Sequence, residues 1–219
     1  MWISLLKGFC LGGIAHTIGF IMDFTISKNS FYDIIDNIPL LYQHAQQKIQ
    51  FNFFVITPVV YSFIDSYLLD HTNNQIQIYT IFYLLSIHGI GYYSAHKAMH
   101  QIKYLRKYHN FHHEFDKYIM PSIGNAVSTE EFLVAYTFPF IIGAYLTTPN
   151  QVNFIIPVSL ISVFNNIIHC KELENIPWIA FLVSPQQHII HHLIRDKHYA
   201  APILNIDFFL ENDNTSCKK

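Results

Sequence analysis

Residues 96–113 read HKAMHQIKYLRKYHNFHH, and residues 188–192 read HIIHH. Together they hold one HxxxH box, His96 and His100, and two HxxHH boxes, His109-His112-His113 and His188-His191-His192. Residues at i, i+3 and i+4 share one face of a helix. Each box is therefore expected to project its imidazoles in one direction, as a metal site built from helices requires. With 14 histidines in 219 residues, a random HxxHH is expected roughly 0.06 times, so two copies are not an accident of composition.

The sequence around the boxes is that of a membrane protein. Hydrophobic residues make up 51% and charged residues 13% of the chain, against about 25% charged in ordinary soluble domains. A net charge of −2 leaves no nucleic-acid footprint. The three cysteines, Cys10, Cys170 and Cys217, lack CxxC spacing and make an odd count, which argues against a disulfide framework or a cysteine zinc site. Four apolar stretches, 51–69, 76–93, 132–148 and 151–168, are long enough to cross a hydrocarbon core. They pair into two expected hairpins, turning at 70–74 and at Pro149-Asn150. Pro58, Pro139 and Pro157 fall inside them, and membrane helices tolerate such prolines at the cost of a kink.

Segment 3–22 is apolar but interrupted by Lys7, four glycines and His16; without a small-residue cleavage site it does not read as a removable signal peptide. Residues 23–50 read as a polar, irregular surface segment with one amphipathic helix, and the tail 211–219 is expected to fray. The chain is read as one domain, 1–219, with its core at about 80–210. The resulting expectation is an all-α integral membrane bundle of two transmembrane hairpins under a histidine-rich helical cap. Because a hairpin returns to the side it left, all three boxes can meet in one compartment. Lys97, Lys103, Arg106, Lys107 and Lys117 surround the first two boxes and no lysine or arginine lies at 70–75; the positive-inside rule then turns the boxes to the cytosol.

Eight box imidazoles are too many for one tetrahedral metal and suit two. Imidazole alone does not choose among iron, zinc and copper. His169, with Asn165 one turn earlier, and His198, six residues after the last box, are further candidates. His88, two turns before His96, is placed to act behind the ligands. Other chemistries fail on the residues. His113-Glu114 does not continue as HExxH, Ile190 spoils an acyltransferase-like HxxxxD at His191–Asp196, and no GxGxxG, GxxxxGKS/T or GxSxG occurs.

In the order HxxxH, HxxHH, HxxHH, with an apolar hairpin before the last box, residues 80–210 resemble the fatty acid hydroxylase/sterol desaturase superfamily. The context is similar too: His112-His113-Glu114-Phe115, the acidic Thr129-Glu130-Glu131, Ser184-Pro185-Gln186-Gln187, and a terminal His198-Tyr199-Ala200 with Asp207. His198 stands at the family's usual asparagine, Asn165 where some members place another histidine, and His96-Lys97 where His-Arg is usual. The resemblance implies a di-iron centre with two iron ions, with His96, His100, His109, His112, His113, His188, His191 and His192 as ligands and His169 and His198 as additional ones. Asn165, His88 and Asp207 would support them. It further implies hydroxylation or desaturation of a sterol or fatty acyl C–H bond with dioxygen as co-substrate. Electrons would come from a cytosolic b-type cytochrome and its reductase, at a membrane of the endoplasmic-reticulum type. A catalytically inactive scaffold and a histidine-lined metal transporter are the competing readings. Boxes lying in lysine-bearing segments outside the apolar spans argue against the transporter.

Overall fold

The computed structural model describes residues 2–210, so the tail 211–219 and Cys217 lie outside the described residues. The described residues form helices and turns with no strand, the extended pairing being confined to isolated bridges at Asp70–Asn150 and Ala201–Leu204. The helices are α1 (Trp2–Thr25), α2 (Lys28–Asn37), α3 (Pro39–Phe51), α4 (Thr57–Tyr67), α5 (Ile78–Gln101), α6 (Lys103–His109), α7 (Thr129–Glu131), α8 (Phe138–Thr147), α9 (Gln151–Ile168), α10 (Pro185–Ile194) and α11 (Ile206–Leu210).

Three helical stretches are long and apolar enough to cross a membrane: Trp2–Thr25, Pro39–Tyr67 and Gln151–Ile168. This differs from four equal spans. Segment 3–22 is an unbroken helix despite its glycines, because Gly8 lets α1 lie directly on α4 and Gly12 lets it lie on the backbone at Phe53 just before α4. A Cβ on Gly8 would stand 2.7 Å from the Pro58 Cα, so the absent side chains permit close backbone approach. The stretch 76–93 is the first part of the longer α5, which runs on into the polar HxxxH box. The stretch 132–148 breaks into a π turn at Phe132–Thr137 and the ten-residue α8.

That π turn has a twin at Asn52–Ile56, which joins α3 to α4. Each lies just before a proline, Pro58 or Pro139, which has no N–H to donate and whose ring crowds the carbonyl one turn back. Widening the turn by one residue relieves the crowding. A threonine hydroxyl closes each wide turn as well: Thr57 Oγ1 donates to the Asn52 carbonyl at 3.0 Å, which also accepts from the Thr57 amide, and Thr137 Oγ1 donates to the Phe132 carbonyl at 2.8 Å.

The ends remote from the histidines are tied together. The Asp70 amide donates to the Pro149 carbonyl at 3.0 Å, Asn150 Nδ2 to the Gln75 carbonyl at 2.8 Å, and the Gln77 amide to Asn153 Oδ1 at 2.9 Å. Residues 23–50 are not irregular. They form α2 and α3, whose Phe31, Ile34, Ala45 and Ile49 share a buried cluster with Phe53, Phe115 and Met120. The i, i+3 and i, i+4 spacings place these pairs on single helical faces. This cluster backs the second histidine box through Phe115, two residues after His113.

Candidate metal centre

The first box occupies the last turns of α5, where His96 and His100 share a face. The second box is not on one helix: α6 ends at His109, and His112 and His113 open a 3₁₀ turn, His112–Phe115. The third box lies on α10. Its start is fixed by a capping box in which Ser184 Oγ accepts from the Gln187 amide at 3.1 Å and Gln187 Oε1 accepts from the Ser184 amide at 3.1 Å. Pro185 at the first helical position has no N–H to leave unpaired. The Ser-Pro-Gln-Gln sequence is thus a helix start that aims three imidazoles.

Nine histidines converge in two groups. His96, His100, His109, His113 and His191 form one, and His112, His169, His188 and His192 the other; within each, the ligand atoms lie within 4.8 Å of one another. The HxxHH boxes therefore do not each point one way. The adjacent pairs His112-His113 and His191-His192 divide between the two groups. Neighbouring residues on a helical turn point about 100° apart, which is how a doublet serves two adjacent sites. The groups touch: the His113 and His192 ring centroids are 4.8 Å apart.

Within the first group, Nε2 of His109 stands 2.9 Å from Nε2 of both His96 and His113, and the His100 to His113 separation is 3.2 Å. In the second, Nε2 of His188 and His169 are 2.8 Å apart. Nitrogens about 2.0–2.1 Å from a common metal would be separated by about 2.9–3.4 Å. His191 Nε2 and both ring nitrogens of His192 are buried without a hydrogen-bond partner among the described residues, as expected of atoms that await a cation. Each group is one that could hold a metal ion.

The outer nitrogens are held from behind. His109 Nδ1 lies 2.7 Å from Glu131 Oε1, His96 Nδ1 2.9 Å from the Tyr199 carbonyl, His191 Nδ1 2.7 Å from the Lys197 carbonyl and His169 Nδ1 2.7 Å from the Asn165 carbonyl. Each oxygen draws the ring proton to Nδ1 and leaves the Nε2 lone pair facing inward. Burial pushes the imidazoles of His109, His112, His188 and His192 well below their ordinary range, and those of His169 and His191 down to about 4. At neutral pH all six are uncharged donors.

The remaining sequence candidates fall outside the two groups. His198 belongs to neither; it adopts a left-handed φ of 61°. Asp207 Oδ2 accepts from the Ala200 amide at 2.7 Å, securing the loop whose Tyr199 carbonyl holds His96. The Asn165 side chain donates to the Gly124 carbonyl and Asn125 Oδ1, and the residue serves His169 through its backbone carbonyl. His88 is separated from His96 by the ring of Tyr92. Sequence reasoning missed Arg195, which donates to the His113 carbonyl at 3.0 Å and to Asp116 at 3.2 Å, locking α10 to the second box. It missed the three carbonyls too, since a backbone oxygen has no sequence signature.

A family model described as fatty acid hydroxylase matches residues 80–211. No curated protein and no solved structure matches the chain.

Proposed function

The chain belongs to the fatty acid hydroxylase family, within the fatty acid hydroxylase/sterol desaturase superfamily, and from that premise we propose that it is a membrane di-iron oxidase acting on a lipid C–H bond. The family implies an oxidoreductase with a lipid substrate, and three membrane-length helices and a histidine centre accord with it. The observation that carries the finer reading is the division of nine imidazoles into groups of five and four. His96, His100, His109, His113 and His191 hold one iron in this reading; His112, His169, His188 and His192 hold the other. His198, Asn165 and Asp207 are supporting residues rather than ligands, and His88, beyond Tyr92, takes no part in holding the metals.

Bound iron supplies the capacity to activate dioxygen and remove hydrogen from an unactivated carbon. The chain supplies the rest. Neutral imidazoles leave the metal pair strongly cationic, and Glu131, Asn165, Tyr199 and Lys197 fix the rings beforehand, so little reorganisation is needed. Burial excludes water, which would otherwise quench the oxidant. Electrons come from outside, since no flavin or haem motif is present in the sequence. Lys103, Arg106, Lys107 and Lys117 are exposed beside the centre and offer a basic face to an acidic donor such as a b-type cytochrome. The same charges support a cytosolic face by the positive-inside rule, and in this reading two helical hairpins lie below it in one membrane-embedded unit, as at the endoplasmic reticulum. Whether a hydroxyl or a double bond resulted would depend on how the chain's residues position the substrate against bound iron.

The test is to count metals in protein purified after iron supplementation. About two irons per chain, falling to one or none in His192→Ala, is the expected result. Full lipid oxidation by a chain holding fewer than two metals would overturn the two-site reading.

A further inference from the structure

A partly open cavity of about 150 Å³ lies between α1, α4, α5, the 132–137 turn and α9. Its wall is overwhelmingly apolar, with Leu11, Ala15 and Ile18 from α1, Val60 from α4, and Phe154 and Val158 from α9. Two of its flanking helices and the 39–67 stretch are the membrane-length segments. Asn125 and Asn165 belong to its lining, and the Asn165 carbonyl is the group that holds His169. The cavity therefore reaches the residue whose carbonyl supports His169.

His88 lines this apolar space, is 0% exposed, and makes no hydrogen bond of normal geometry from either ring nitrogen. An imidazole stripped of water in this way is costly unless something pairs with it. The Tyr136 backbone carbonyl is near enough to attract its N–H, which leaves the acceptor nitrogen in need of a donor. Neutral imidazole has one of each. A hydroxyl would supply that donor; an ether or an alkane would not.

Resting on the oxidase reading above, we propose that this cavity binds the single hydrocarbon chain of the lipid substrate and that His88 accepts a hydrogen bond from a hydroxyl on it. Size favours one chain over a sterol. A cavity of about 150 Å³ takes a guest of roughly six carbons, such as benzene, which is too small for a fused four-ring nucleus but suited to a chain segment. His88 lies eight residues before His96, about 12 Å along the helix. A hydroxyl anchored there fixes the depth at which the chain sits in the bundle.

The experiment measures binding of radiolabelled 1-dodecanol, dodecane and dodecyl methyl ether to the purified full chain in nanodiscs, with cholesterol as competitor. Iron is counted in each sample, so an empty metal centre is not mistaken for a failed cavity. Dodecanol is expected to bind about fivefold more tightly than dodecane or the ether, the yield of one buried hydrogen bond. In His88→Phe that preference disappears while iron content stays. Val158→Phe, filling the cavity at a second point, weakens dodecanol and dodecane alike. Equal affinities for dodecanol and dodecane in the parent protein would overturn the role of His88. Efficient displacement of dodecanol by cholesterol, or unchanged binding to a folded Val158→Phe, would overturn the single-chain site.

Discussion

Two single residues of the centre make opposite demands on their side chains. Glu131 is 1% exposed and spends one carboxylate oxygen on His109. Replacing it with alanine frees the His109 ring to turn and removes the acceptor that keeps the proton on Nδ1. Losses behind a metal ligand cost about 10- to 100-fold in metal affinity. Chelator competition on Glu131→Ala should show that loss, largely restored in Glu131→Gln, whose amide oxygen still accepts; unchanged affinity in the alanine variant would remove Glu131 from the centre. His198, by contrast, is constrained by its backbone. Its φ of 61° is a conformation that asparagine adopts more readily than histidine. His198→Asn is therefore expected to keep both metals and to raise thermal stability slightly. Loss of a metal in that variant would make His198 a ligand in its own right.

At the scale of elements, α10 shows how a local signal positions chemistry. Its capping box and Pro185 fix where the helix begins, and the phase of His188, His191 and His192 follows from that start. Ser184→Ala removes the cap and should cost about 1 kcal/mol, read as a lower melting temperature with weakened metal retention in both groups, because α10 serves both. A variant that melted lower yet kept full metal retention would show that packing alone holds α10. The sequence made this element legible, since box spacing, proline and cap all agree. It misled at the second box, where HxxHH suggested one helical face. The chain there leaves α6 at His109 and passes through Asn110 and Phe111 into a 3₁₀ turn, a change that spacing alone does not register. The 132–148 stretch misled for a related reason: hydropathy counts apolar residues and is blind to the π turn that Pro139 imposes. Segment 3–22 was underrated because glycine weakens an isolated helix, whereas here Gly8 secures contact with α4. Only the last of these turned on a contact distant in sequence; the other two are local turns that neither spacing nor hydropathy registers.

For the whole molecule, the concentration of neutral imidazoles in one buried place makes folding sensitive to acid. An unfolded chain protonates its histidines near pH 6.5. In the folded chain burial holds His169 and His191 at about 4 and His109, His112, His188 and His192 well below 6.5. Below about pH 6.5 the unfolded state binds protons that the folded state refuses, so stability falls as pH falls. The loss begins at the unfolded value and continues down through pH 4 for His169 and His191, and further for the rest. Each proton of difference contributes about 1.4 kcal/mol per pH unit, and several act together, so the metal-free protein should lose several kcal/mol between pH 7 and pH 5.5. Metal binds only the deprotonated rings and the folded arrangement; iron-loaded protein should therefore resist acid until protons displace the metal, then unfold over a narrow range. Urea unfolding of metal-free and iron-loaded protein across pH 7.5 to 5 checks both statements. A flat profile for the metal-free chain would mean that its histidines are already solvated, and that the two groups assemble only around the metals rather than being built in advance by the fold.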